Sequence, residues 1–215
     1  MTLYCMPRAC SRVTMTALEA IGLPYERQVI NIFTQQQKTP EYLAIHPGGK
    51  VPALSVDGEV LTENASILLY LHQTYPEGQL LPESANAVQA AQKVSELVWC
   101  GGTLHPIIRQ VRMPIRFTDG DPSGVREKGV EMLTAVLERI APRLASQDWW
   151  FGDRWSIVDV YFAWCCMVAQ SGGFPLDKYP AVLGHRERLF GIESFARAVE
   201  KDEAAIAEHG IEFPG

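Results

Sequence analysis

Long apolar runs are missing from this sequence: no stretch of about 18 uninterrupted apolar residues occurs, which speaks against a membrane-spanning helix. Positive charge is in deficit, with 19 Lys and Arg against 25 Asp and Glu. The formal net charge of −6 argues against nucleic acid or an anionic membrane surface as the main partner. Cysteine is sparse and odd in number. Cys5, Cys10, Cys100, Cys165 and Cys166 include no Cys-x-x-Cys pair, so neither a zinc site nor a dithiol motif is expected, and the reading assigns no metal. No charged-then-apolar leader precedes the strand-like Met1-Thr2-Leu3-Tyr4, so a cytoplasmic protein with reduced thiols is expected. Repeats and low-complexity tracts are lacking too. What is there is an ordinary globular composition, 47% hydrophobic and 20% charged in 215 residues, enough for one large domain or two small ones.

Pro7-Arg8-Ala9-Cys10-Ser11-Arg12-Val13 joins the apolar run Leu3-Tyr4-Cys5 to a segment with helical periodicity at Val13, Ala17, Leu18 and Ile21. It therefore reads as a strand turning into a helix. Backbone N–H groups at a helix start point outward and stabilise an anion or a thiolate. Cys10 and Ser11 both stand at that turn, and the residues leave open which of them matters.

Further on, Gly22 before Leu23-Pro24 stops the helix, 25–32 reads as a second strand, and Pro40 introduces a short helix over 41–45. Pro52, within Lys50-Val51-Pro52-Ala53-Leu54, cannot donate to a ladder. It marks a strand start or edge and admits a cis Val51–Pro52 bond. Asp57-Gly58 suits a tight hairpin. Thr62 or Asn64 then caps a helix to about Tyr75, with Ile67, Leu68 and Leu71 inward. Residues 1–76 thus read β-α-β-α-β-β-α with a mixed sheet, 77–86 as a linker, and 87–215 as helices at about 87–117, 123–145, 156–169, 180–190 and 193–207.

Two patterns in the helical part stand out. Ser156-x-x-Asp159 is a capping-box variant, assigned to folding, and Ser156→Ala is expected to cost about 1 kcal/mol or more. His105, Arg109, Arg112 and Arg116 are spaced four, three and four residues apart on one helix face, curved by Pro106 and Pro114. A solvated basic face and a lining for an anionic substrate both fit.

Four features in this order resemble the cytosolic glutathione transferases over essentially the whole chain. They are Ala9-Cys10-Ser11, Lys50-Val51-Pro52-Ala53-Leu54, Thr62-Glu63-Asn64, and Gly152-Asp153 leading to Ser156-Ile157-Val158-Asp159. Pro-x-Ala-Cys-Ser looks like the bacterial beta class, and Ser11-Arg12 looks theta-like. The resemblance implies an N-terminal thioredoxin-like α/β domain with a mixed four-stranded sheet (1–76), a linker (77–86) and an all-α, helical-bundle substrate domain (87–215).

It also implies glutathione as co-substrate. Val51, before a cis Pro52, would pair with the cysteinyl part as an added strand does. Glu63 would pair with the γ-glutamyl amine, and the helix start at Asn64 would hold its carboxylate. Lys50 or Lys38 would meet the glycine carboxylate. A cysteine-like thiol has a pKa of about 8.5, and lowering it by about 2 units takes roughly 2.7 kcal/mol of thiolate stabilisation. Cys10 aligns with the beta-class cysteine and Ser11 with the theta serine, so both are catalytic candidates.

His105 matches a histidine that approaches the cysteine in beta-class enzymes. Trp99 and Met113 suit a hydrophobic electrophile, and Arg109 and Arg112 an acidic one. Arg8, Asn64 and Pro106 replace the family's usual glycine, serine and lysine. The implied function is thiolate transfer to a hydrophobic electrophile, a detoxification chemistry, in a cytoplasmic homodimer. A glutathione-dependent thiol transferase or reductase, an isomerase, and a non-catalytic interaction module of the same fold are the alternatives.

Overall fold

Leu3 and Cys5 alternate with Thr2 and Tyr4, and the alternation turns Leu3 and Cys5 into the interior of the first strand, β1 (Thr2–Cys5). The structure, a computed structural model, describes residues 1–213. The chain divides into two units, Met1–Leu80 joined by the residues from Ile192 on, and Leu81–Gly191.

In the first unit β1 is followed by α1 (Ser11–Ile21), β2 (Glu26–Val29), α2 (Pro40–Ile45), β3 (Ala53–Val56), β4 (Glu59–Thr62) and α3 (Asn64–Thr74). The sheet order is β2-β1-β3-β4. β1 runs parallel to β2, with Leu3 opposite Arg27, and antiparallel to β3, with Leu3 opposite Leu54. β3 and β4 close as a hairpin whose turn residues Asp57 and Gly58 both have positive φ, 50° and 90°. That is the backbone a type I′ turn needs, and Asp-Gly supplies it at low cost. Gly22, at φ 79°, ends α1 in the left-handed region and its N–H donates to the Leu18 carbonyl. The expected β-α-β-α-β-β-α order is the one observed, and it is a thioredoxin-like domain.

Two local expectations differ. The strand expected over 25–32 is only Glu26–Val29, because Asn31 opens a turn in which its backbone N–H donates to the Gln36 side chain. Neither Thr62 nor Asn64 caps α3. Glu63 holds the N-cap position at φ 64°, without a side-chain cap bond, and the Asn64 amide reaches back to α1 instead.

The second unit is helical throughout: α4 (Ala87–Trp99), α5 (His105–Arg112), α6 (Ser123–Ser146), α7 (Ile157–Ser171) and α8 (Pro180–Leu189). The single helix expected over 87–117 is broken into α4, a wide π-type turn at Cys100–Leu104, α5, and a 3-10 turn at Pro114–Phe117. Pro106 has no N–H to offer the preceding turn and its ring crowds a carbonyl there, and the wide turn accommodates both. α7 is buried on nearly all sides. At its start the Asp159 carboxylate, fully buried, accepts from the Ser156 backbone and hydroxyl (2.7 Å each), the Trp150 backbone (2.6 Å) and His185 Nε2 (2.7 Å). The expected capping box is therefore the centre of a larger polar knot.

The last helix, α9 (Glu193–His209), belongs with the first unit. The sequence placed 87–215 in one helical domain. From Ile192 on the chain instead groups with the sheet, because α9 packs on α1 and buries Phe195, Ala198, Asp202 and Ala205 there. No described helix is long and apolar enough to cross a membrane.

Candidate functional site

The turn after β1 is built by its own side chains. Ser11, fully buried, donates its hydroxyl to the Met6 carbonyl (2.9 Å) and accepts from the Met6 N–H (3.2 Å). That closes the loop from β1 into α1 and points the hydroxyl inward. Cys10, one residue earlier, is the N-cap of α1 and 6% exposed, with Sγ 3.5 Å from the Val51 carbonyl. The Val51–Pro52 bond is cis. The two adjacent candidates are therefore not equivalent: the serine locks the turn, and the thiol faces the Val51-Pro52 segment.

Asn64 ties a third element to the same point. Its Nδ2 donates to the Cys10 carbonyl (2.9 Å), and its Oδ1 accepts from the Thr14 hydroxyl (2.5 Å). Both ends of this amide are committed to α1, so the start of α3 is held beside the start of α1. The N-cap side chain leaves the first-turn N–H groups of α3 uncapped, the arrangement that suits an anion. Glu63 is exposed at that end. Its charge reaches the buried His46: burial lowers the pKa of His46 and Glu63 opposes the shift.

Lys50 and Lys38 are both exposed. They approach one loop: Lys38 Nζ lies 3.0 Å from where a Cβ on Gly49 would stand, and the Lys50 carbonyl accepts from the Tyr42 hydroxyl at 2.6 Å. In the first unit, then, bonds bring Cys10, Ser11, Val51, Pro52 and Asn64 together, Glu63 adjoins them in sequence, and the two lysines stand at the loop before Val51.

The other candidates lie in the second unit and form two groups. His105 is buried; its Nδ1 is 3.2 Å from the Tyr161 hydroxyl, Arg109 Nε donates to its Nε2 (3.1 Å), and Trp164 meets it edge-on at 4.7 Å. Arg112 and Met113 follow at the end of α5, half-buried. Trp99 stands apart, stacked on the buried Trp150 with Arg139 over its face. It is tied into packing more than its sequence position suggested.

Burial pushes the Cys5 thiol up to about 12, and raises Cys100 and Cys166 as well, which leaves those three protonated. Sequence reasoning quoted Arg12 only as part of a motif and missed its partner Asp202: Arg12 Nε donates to Asp202 Oδ2 at 2.7 Å, and both residues are buried. The available signal was an acid at an inward position of α9, in step with Phe195, Ala198 and Ala205.

The candidate thiol thus stands at the start of the first helix of a thioredoxin-like unit, in a chain whose other unit is all-helical. Residues 8–74 match the glutathione S-transferase N-terminal domain, and residues 106–193 the glutathione S-transferase C-terminal domain. The chain is 32% identical over 187 residues to a maleylacetoacetate isomerase of Pseudomonas aeruginosa, an alignment covering 85% of this chain and 87% of that protein. A glutathione transferase homologue from Sulfitobacter, solved with bound glutathione, superposes with a TM-score of 0.83 at 25% identity, over 93% of this chain and 97% of that one. A beta-class glutathione S-transferase of Sphingomonas chungbukensis gives 0.81 at 25% identity, over 94% and 98%. The chain belongs to the cytosolic glutathione transferase family.

Proposed function

We propose that the first unit binds glutathione as co-substrate, that Cys10 assists its sulfur as a thiolate, and that this thiolate attacks a small electrophile. The observation that carries the choice of Cys10 is the pair of hydroxyl bonds between Ser11 and Met6. They turn Ser11 away, while Cys10 holds the N-cap of α1 and faces Val51. A thiol hydrogen bond added to the field of a helix N-terminus is a sufficient source for about 2 units of thiolate stabilisation.

In this reading Val51 and Pro52 pair with the cysteinyl backbone of glutathione. Glu63 takes the γ-glutamyl amine, and the uncapped start of α3 takes the adjacent carboxylate. Asn64 serves by holding that helix in place, not by touching ligand. Lys38 and Lys50 meet the glycine carboxylate. His105, Arg109, Arg112, Met113 and Trp99 belong to the helical unit that would select the electrophile. The exposed face of α4, with Val88 at 68% and Val98 at 52%, suits a second copy in a homodimer, and a cytoplasmic setting belongs to the same reading.

A second reading is favoured by the name of the Pseudomonas relative and by the arginines of α5, which suit carboxylates. In it the thiolate adds to one carbon of a conjugated cis double bond, the resulting single bond rotates, and the thiolate leaves. Glutathione is regenerated and the trans isomer released.

Product mass separates the two outcomes. With glutathione and an activated aryl chloride, transfer predicts an adduct and loss of chloride. With maleylacetoacetate and catalytic glutathione, isomerisation predicts conversion without change of mass. A chain that neither binds glutathione at millimolar concentration nor acts on either substrate would overturn both readings.

A further inference from the structure

The α9 helix reaches the Cys10 turn through one carboxylate. Asp202 Oδ2 accepts from the Arg8 backbone N–H (2.9 Å) and from Arg12 Nε (2.7 Å), two donors that flank Cys10 at equal sequence distance. We propose that Asp202 is the positioning residue of this turn: it fixes the chain on both sides of Cys10 and balances the charge that Arg12 brings to the start of α1. This rests on the reading of Cys10 as the group that assists the thiolate.

Three observations support it. Arg8 has φ 62°, a left-handed backbone that a non-glycine residue holds only when its surroundings impose it. Here the Met6–Ala9 turn, closed by the Ala9 N–H on the Met6 carbonyl at 3.1 Å with Pro7 before Arg8, sets that backbone, and α9 holds it through the N–H bond to Asp202 and the Arg8 guanidinium, forked on Glu203 at 3.1 and 2.8 Å. Second, Arg12 is a buried cation in the first turn of α1, the end where the helix dipole disfavours positive charge, and that turn contains no acid. Asp202 supplies the missing negative charge from another helix. Third, Asp202 is itself fully buried, at an inward position of α9 where an apolar residue would otherwise continue the stripe.

The charged and titratable groups around Asp202 are Arg8 and Arg12 from the turn and α1, Glu203 beside it on α9, and Cys5 and Arg27 from β1 and β2. Removing the carboxylate charge while keeping its shape leaves Arg12 uncompensated in the first turn of α1, two residues after Cys10. The thiolate of Cys10 is then favoured.

The test is the pH dependence of Cys10 alkylation by iodoacetamide, read by mass spectrometry on the Cys10 peptide, with melting temperature recorded for each variant. Asp202→Asn is expected to lower the alkylation midpoint by about half a pH unit or more. Adding Arg12→Gln, which removes both charges, is expected to return the midpoint close to wild type. A role in packing alone predicts no such return. An unchanged midpoint in a folded Asp202→Asn variant overturns the proposal, as does a double variant no nearer wild type than the single one. If Asp202→Asn does not fold, Arg12→Gln alone decides: an upward shift supports the proposal and no shift overturns it. The readout uses no glutathione, so its failure is separate from a failure of the proposed function, which a glutathione titration reads.

Discussion

Cys10 and Ser11 occupy neighbouring positions at one helix start, and their side chains bond to different segments, Cys10 to Val51 and Ser11 to Met6. Periodicity and turn position placed both at the right end of α1. What decides between them is which way each side chain turns, and that depends on Met6 and Val51, neither of which carries a sequence signal for it. Asn64 gives the same lesson. Its position at the start of α3 was legible, whereas its bonds to Cys10 and Thr14 depend on where the two helix starts meet. Glu19, at the other end of α1, carries a prediction at this scale. Burial alone would raise its pKa, but hydrogen bonds from Lys201 and Tyr25, with Arg197, outweigh it and hold the carboxylate below its ordinary value of 4.5. A carboxylate depressed in the folded state contributes stability above its unfolded pKa and loses it as pH falls through the folded one. Melting temperature measured downward from pH 5 should therefore fall more steeply in wild type than in Glu19→Gln; parallel curves would contradict the assignment.

The break between α4 and α5 shows what an element inherits from one residue. Pro106 was legible as a disruption of a long helix, but the form of the break was not: the widened turn lies upstream, at Cys100–Leu104. Gly101 and Gly102 sit inside it. A Cβ on Gly101 would come within 3.3 Å of the Tyr161 hydroxyl, whereas one on Gly102 meets nothing described within 4 Å. Gly102 also lacks a positive φ, so its flexibility only costs the helical state. Gly102→Ala should stabilise the protein by about 0.5–1 kcal/mol, read as a higher urea midpoint, and Gly101→Ala should not.

On the scale of the molecule, local pattern identified nearly every helix and strand, because each carries its own periodicity, caps and turn residues. It could not assign α9 to a unit. A stripe of Phe195, Ala198, Asp202 and Ala205 says that a helix has a buried face and is silent about the surface it meets; the chain returns to α1 through a packing choice made in three dimensions. That return brings Asp202 to the turn that holds Cys10, where it accepts from the Arg8 N–H and from Arg12. The central claim is that Cys10, not Ser11, assists the thiolate of bound glutathione. Its most direct test is the ultraviolet thiolate band of glutathione bound to wild type, Cys10→Ala and Ser11→Ala, titrated with pH. Wild type should ionise about 2 units below free glutathione, Cys10→Ala should return to near the free value, and Ser11→Ala should keep the lowered value despite reduced stability. A Cys10→Ala protein that titrates like wild type, or a folded Ser11→Ala protein that titrates like free glutathione, would contradict the account.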